Sequence, residues 1–195
     1  GRGLGAAIVR ALSAAGFDVT FTYRSAGAEA EGLLEELRAR PGATPRAVEV
    51  DLADRAAVDA FAETLEAEEG PYFGFCHNAG MSYDTLAAMV DQDKAEAVMQ
   101  VNHFTFVRIS RALVRPMTRA KQGRIVAIGS VAALLANQGN VAYAASKAAL
   151  LAHVRGLAIE TARRGVTVNY IAPGFIDTGM LAKYADHRDR MAAQI

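Results

Sequence analysis

The sequence predicts an α/β protein: a doubly wound parallel sheet in a three-layer αβα sandwich. Two observations carry this. Short apolar segments rich in β-branched and aromatic residues alternate with Ala/Leu/Glu/Arg-rich stretches of helical spacing, and strand–helix–strand repetition implies parallel crossover units. With 52% apolar and 22% charged residues, the chain has material for a large core.

The predicted strands are 17–23 (FDVTFTY), 45–51 (PRAVEVD), 71–77 (PYFGFCH), 123–129 (GRIVAIG) and 165–171 (GVTVNYI). Their near-continuous apolar character suits strands buried on both faces. The predicted helices are 3–15, 26–39, 54–68, 92–120 and 141–163. In the first, Leu4, Ile8, Ala11, Leu12 and Ala15 form one apolar stripe. The polar tail from Met180 to Ile195 is expected to be a mobile helical segment over a cleft. At 195 residues the chain fits a single domain, 1–195. It opens on a helix with no preceding strand, although a βαβ unit needs one at the sheet centre. The chain is therefore expected to be a trimmed piece of a longer one, with the first strand and the C-terminal end missing.

Charge and composition exclude several function classes. Twenty-one basic residues balance twenty-one acidic ones, which argues against a general binder of nucleic acid or anionic membranes. No apolar run is long enough to predict a membrane span, and no signal peptide is visible. The single cysteine, Cys76, rules out an internal disulfide and reads as core. His103, His153 and His187 lack ligand spacing, so no metal site is expected. A reducing, cytoplasmic setting is the default.

Gly1-Arg2-Gly3-Leu4-Gly5 leads into the first helix. Glycines there let the backbone approach a pyrophosphate, and a helix N-terminus offers free N–H groups; the same pattern also serves as turn chemistry. Arg24 and Ser25 follow the next strand, where such sheets meet an adenosine ribose. An acidic residue would favour NAD, whereas a guanidinium and a hydroxyl suit a 2′-phosphate and hence NADP. A solvated loop arginine is the alternative. Asp51 reads equally as helix N-cap and as cofactor contact. Asn78, Ala79 and Gly80 follow the predicted strand 71–77, at the carboxyl end where open sheets bind ligands.

Ser130, Tyr143 and Lys147 are the strongest constellation. Ser130 follows the predicted strand 123–129, and Tyr143 and Lys147 share one helix face. An ammonium one turn away favours the phenolate and is expected to lower the tyrosine pKa. Ser130 is placed to hold a carbonyl oxygen while Tyr143 protonates it. Tyr and Lys at this spacing also occur as surface decoration; the strand-end serine argues for the site.

Together these residues resemble the short-chain dehydrogenase/reductase family, through RGLG, NAG at 78–80, Asn102, Ser130, YAASK at 143–147 and PGFIDT at 173–178. The resemblance implies a Rossmann-like dinucleotide-binding domain, Tyr143 as general acid/base, Lys147 binding the nicotinamide ribose, Ser130 orienting substrate and Asn102 supporting a relay water. It implies that Arg2, Gly3, Leu4 and Gly5 line the diphosphate and ribose and Arg24 and Ser25 take the 2′-phosphate. Asp51 and Leu52 then flank the adenine, Asn78, Ala79 and Gly80 the ribose, and Pro173, Gly174, Ile176 and Thr178 the nicotinamide, with Tyr143 and Lys147 also touching NADP(H). His77 stands where many members have asparagine, so the turn before Asn78 is expected to be held differently.

Within the family the sequence is most similar to 3-oxoacyl-[acyl-carrier-protein] reductases, including aryl-polyene-type ones, of fatty-acid and lipid metabolism. This implies NADPH-dependent reduction of a 3-oxoacyl thioester on acyl carrier protein or CoA. Lys121, Arg124, Arg163 and Arg164 are the expected carrier-docking patch near the cleft, with solvated helix-end charges as the alternative. Met81 and Met180 line an acyl site or fill the core. Ala144, Ala148, Leu151 and Ala152 are expected to pack a subunit interface, in a homotetramer. Alternatives are a reductase of a free ketone or alcohol, and a non-catalytic NADP-binding regulator.

Overall fold

Strands form where β-branched runs are bounded by glycine, proline or polar turns, and helices where alanine and leucine recur at helical spacing. The computed structural model describes residues 3–25, 27–68, 70, 72–135 and 137–176. These fall into two compact units. One runs to Asp51 and takes in Phe175 and Ile176; the other spans Leu52–Gly174.

In the first unit, α1 (Gly3–Ala14) precedes β1 (Thr20–Tyr23), α2 (Gly27–Arg38) and β2 (Arg46–Glu49). β1 and β2 pair in parallel, from Thr20 opposite Arg46 to Tyr23 opposite Glu49. Ala6, Phe21, Ala30, Leu33, Leu34 and Leu37 form the core of this unit.

In the second unit, α3 (Arg55–Ala67), β3 (Gly74–His77), α4 (Gln92–Met99), α5 (Thr105–Ala120), β4 (Gly123–Ile128), α6 (Val141–Thr161) and β5 (Val166–Ile171) follow in order. The parallel sheet has the order β3-β4-β5. Asp54 caps α3, its carboxylate accepting from the Ala56 N–H at 2.8 Å, so the capping role weighed for Asp51 belongs to Asp54. The core includes Phe106, Ile109, Leu113, Met117, Ile125, Leu150, Val154 and Val166. Arg108 ties α5 to α3 through Asp59 at 2.7 Å and Glu66 at 2.9 Å.

This is an α/β fold of parallel strands flanked by helices, as the alternating periodicity predicts. All five predicted strands and the helices at 3–15, 26–39, 54–68 and 141–163 are present within a few residues. Two details differ. The described strands pair as separate sheets of two and three, since none of them pairs with both β1 and β3. The single helix predicted for 92–120 is broken by a π-helical turn at Gln100–Phe104. There the Thr105 N–H bonds the Gln100 carbonyl, five residues back. The Thr105 hydroxyl also bonds the Gln100 carbonyl at 2.9 Å and lies 3.2 Å from that of Leu52.

Phe106, fully buried, stacks on Phe75 with ring centroids 5.8 Å apart. Phe106→Ala is expected to cost about 3–5 kcal/mol, read as a lower urea midpoint at unchanged slope.

Candidate active site

The carboxyl ends of β3, β4 and β5 lie at one end of their sheet because the strands are parallel. The loops that follow them carry Asn78–Gly80, Ser130 and Pro173. Gly129 donates to the Ile171 carbonyl at 2.7 Å and Val131 to that of Pro173 at 3.0 Å. These bonds extend the β4–β5 ladder past the strand end and hold Ser130 in extended backbone. The Ser130 hydroxyl accepts from the Ala132 N–H at 3.1 Å. With a lone pair so used, its proton is free to face the nearby Tyr143 side chain, whose pKa Ser130 lowers.

Tyr143 and Lys147 come from consecutive turns of α6, the Lys147 Nζ lying 5.9 Å from the Tyr143 ring centroid. The ammonium is buried and donates to the Ile128 carbonyl at 2.9 Å. Desolvation pulls its pKa down to about 8. The structure corrects the expectation for Tyr143. Burial is the largest influence and pushes the phenol above its ordinary value; the Ser130 hydrogen bond pulls it down and Asp84 adds to the rise. At neutral pH the group is therefore a protonated phenol, which is the form an acid needs.

Asn102, which the sequence alone reads as a mid-helix polar residue, is fully buried inside the π turn. Its amide Nδ2 donates to the Met81 carbonyl at 2.9 Å and to the Ser146 hydroxyl at 2.8 Å, while its Oδ1 accepts from the Met81 N–H at 2.8 Å. The Ser146 hydroxyl in turn donates to the Tyr143 carbonyl at 2.7 Å. One amide thus joins the loop after β3, the π turn and the first turn of α6. The Asn102 backbone carbonyl lies 3.3 Å from His77 Nε2. A carbonyl only accepts, so the imidazole is the neutral tautomer with its proton on Nε2. Burial, and next the Lys147 charge, lower the His77 pKa to about 3. This is how the turn before Asn78 is held.

The residues assigned to the coenzyme fall on both units. In the first, Gly3, Leu4 and Gly5 make the opening turn of α1, and Arg24 and Ser25 follow β1 as exposed side chains. Asp51 is exposed beyond β2. In the second, Leu52, Asn78, Ala79, Gly80 and Pro173 are half-buried and Gly174 is exposed. Ile176 is exposed and belongs to the first unit. Arg2, Thr178, Met180, His187 and the tail predicted from Met180 onward lie outside the described residues.

The second unit fits a nicotinamide–ribose end on its donor set. Lys147 has three ammonium protons, and among the described residues the Ile128 carbonyl is the one acceptor found for them. A side chain at Gly80 would begin 3.5 Å from that ammonium and 3.8 Å from Asn102 Oδ1, so glycine leaves the approach to both clear. A ribose diol would supply the acceptors the ammonium can still take.

The docking residues are placed differently from expectation. Lys121 and Arg124 flank the start of β4, and Arg163 and Arg164 the start of β5. That is the opposite end of the parallel sheet from Ser130. Along α6, Arg163 is ~30 Å from Tyr143 at 1.5 Å per residue. The patch therefore does not border Ser130, Tyr143 and Lys147 of its own chain. Arg124 is partly engaged, donating to the Gly123 carbonyl at 2.8 Å and lying over the Phe73 ring. Among the described residues no grouping of three or more His, Cys, Asp or Glu side chains forms a metal site, and no helix is long and apolar enough to cross a membrane.

Sequence reasoning missed the roles of Ser146 and Tyr170. Strand alternation in β5 already puts Tyr170 in phase with buried Val166 and Val168.

Comparison with known proteins gives a consistent picture. A model of the short chain dehydrogenase family matches residues 1–189. The chain is 38% identical over 182 residues to 3-oxoacyl-[acyl-carrier-protein] reductase FabG of Aggregatibacter actinomycetemcomitans, covering 92% of this chain and 74% of that protein. A short-chain dehydrogenase from Streptomyces avermitilis superposes with a TM-score of 0.81 at 30% identity, over 92% of this chain and 64% of that one. BdcA in complex with NADPH superposes with a TM-score of 0.83 at 33% identity, over 97% of this chain and 73% of that one.

The buried imidazole generates a stability prediction. An unfolded histidine binds a proton below about pH 6.5, whereas His77 does so only near pH 3. The unfolded chain thus binds more protons between these values, so stability is present above about 6.5 and is lost as pH falls toward 3. The full window corresponds to a loss on the order of 5 kcal/mol. His77→Asn is expected to flatten the decline, measured as urea midpoints at pH 7 and pH 4.5.

Proposed function

Because the chain belongs to the short-chain dehydrogenase/reductase family, we propose that it is an NADPH-dependent reductase of a 3-oxoacyl thioester, forming the 3-hydroxyacyl thioester. The observation that carries the chemistry is a protonated, half-buried Tyr143 phenol beside Ser130, which eases its proton loss, with the buried Lys147 ammonium one helix turn on. The substrate class is supported by a relative named for 3-oxoacyl-[acyl-carrier-protein] reduction, and the coenzyme by a neighbour bound to NADPH.

When bound, the coenzyme supplies a hydride. Lys147 holds a ribose hydroxyl through ammonium protons that the Ile128 carbonyl leaves unused. Gly80 keeps that approach open. Ser130 turns its hydroxyl proton from Tyr143 to the substrate carbonyl oxygen, lowering the cost of negative charge there. Tyr143 gives its phenolic proton to the same oxygen, and Lys147 stabilises the phenolate left behind. Asn102 acts at a distance, holding the β3 loop and α6 in register, and supports a relay water. In the other unit, Gly3, Leu4 and Gly5 give backbone to the diphosphate, with Arg2 beside them. Arg24 and Ser25 take the 2′-phosphate, and Asp51 and Leu52 border the adenine. Asn78 and Ala79 border the ribose, and Pro173, Gly174, Ile176 and Thr178 the nicotinamide. Residues 1–195 in this reading serve as one catalytic domain, and the outer faces of α5 and α6, with Phe104 exposed in the π turn before α5 and Ile159 exposed on α6, pair copies into a homotetramer.

A second reading, reduction of a free ketone, is favoured by one observation: Lys121, Arg124, Arg163 and Arg164 lie at the far end of the sheet from Tyr143. A carrier seated on them would have to serve the site of another copy.

Tyr143→Phe is expected to lower kcat by at least about 1000-fold with NADPH affinity within twofold of wild type, measured by stopped-flow absorbance and fluorescence titration. Arg24→Ala is expected to weaken NADPH about 10–100-fold and leave NADH unchanged. Turnover of acetoacetyl-acyl carrier protein, acetoacetyl-CoA and free ketones side by side distinguishes the two substrate readings.

A further inference from the structure

We propose that Tyr170 is a positioning residue: its hydroxyl clamps the Ser130 backbone to the Lys147 turn of α6, fixing the serine hydroxyl against the Tyr143 phenol. This rests on the reading of Ser130 and Tyr143 as the groups that hold and protonate the substrate oxygen.

Three contacts meet at one oxygen. The Tyr170 hydroxyl accepts from the Ser130 N–H at 2.9 Å. Its own proton faces two carbonyls, those of Ser130 and Lys147, each 3.3 Å away. The need for this partner follows from strand geometry. Gly129 and Val131 spend their N–H groups on the backbone that continues β5, so the intervening Ser130 N–H points the other way. There it is half-buried and needs an acceptor. The Tyr170 ring crosses β4 over Gly129 to provide one. A Cβ at Gly129 would overlap that ring, so the glycine and the tyrosine form a matched pair.

The clamp joins three elements. Tyr170 sits on β5, Ser130 follows β4, and Lys147 lies one helical turn beyond Tyr143. The groups that face Tyr143 are Ser130, Asp84 from the segment after β3, Tyr170 from β5 and Lys147 from its own helix. Ser130 is the one that lowers the Tyr143 pKa. Tyr170 is itself raised, by burial first and by Tyr143 as well, so it stays a neutral donor and acceptor. Loosening Ser130 therefore removes the contact that eases proton loss from Tyr143.

The test compares wild type, Tyr170→Phe, Ser130→Ala and the double variant, with NADPH and two probe ketones, acetoacetyl-CoA and ethyl acetoacetate. Phenylalanine keeps the ring over Gly129 and removes only the hydroxyl. On whichever ketone the wild type reduces, Tyr170→Phe is expected to lower kcat about tenfold with NADPH affinity within about twofold. In the Ser130→Ala background the same change should cost under about twofold, because a clamp acting through Ser130 has nothing left to position. A Tyr170→Phe rate within about twofold of wild type, or a tenfold drop that persists without Ser130, overturns the proposal. Which ketone is reduced tests the substrate reading and leaves the clamp untouched. If the wild type reduces neither, that reading fails, and the clamp is read from the tyrosine 13Cζ signal of Tyr143, assigned with Tyr143→Phe. An upward shift of its titration midpoint in Tyr170→Phe supports the clamp, and an unmoved midpoint overturns it.

Discussion

A positive charge kept out of water at Lys147 is the constraint around which the second unit is arranged. Burying an ammonium is costly unless acceptors and geometry compensate. The Ile128 carbonyl at the end of β4 provides one acceptor, which requires α6 to lie against that strand end. His77, fully buried close by, stays neutral because burial penalises its charged form, and next because of the Lys147 charge. Gly80 contributes by leaving the space beside the ammonium open to an incoming group. The depressed lysine pKa measures what desolvation still costs the charged form.

Around this charge, precision comes from backbone groups. Asn102 spends its whole amide on Met81 and Ser146, and Ser146 passes the constraint to the Tyr143 carbonyl. Tyr170 spends its hydroxyl on Ser130 and Lys147. Neither side chain needs to meet a reactant to matter. Each ties the backbones of neighbouring elements together, and Ser130, Tyr143 and Lys147 inherit their separation from those ties. Buried networks of this kind are worth having only when every member is satisfied, since an unpaired polar group in such surroundings costs about 1–3 kcal/mol.

The fold class was legible in the sequence because parallel strands buried on two faces leave continuous apolar runs, as at GRIVAIG and GVTVNYI. Helices with wide apolar faces leave a periodic signal equally plain. The Ser130, Tyr143 and Lys147 set was legible because helical spacing alone puts two of them on one face. Other features were not. The π turn at Asn102 was hidden because its cause lies in partners distant in sequence, Met81 and Ser146, and local propensity carries no trace of them. The Tyr143 phenol was expected to be lowered by Lys147, but spacing reveals proximity and says nothing about desolvation, which dominates here. The basic residues 121, 124, 163 and 164 were expected as a patch near the cleft. Their distance from the chemistry follows from strand direction, once Gly123 is paired with Val166 at the opening of both strands.

The turn at Gln100–Phe104 holds one residue more than regular winding would. Each α-helical residue advances the helix face by about 100°, so the surplus offsets α4 against α5 by roughly that angle. The two segments can thus address different neighbours, α4 lying against α6 and α5 against α3. A chain shortened by one residue here would be wound more regularly, yet its two halves would be locked in phase and Asn102 would be swung off its partners. Regular winding and a correctly aimed amide are competing demands at this spot, and the protein keeps the irregular solution.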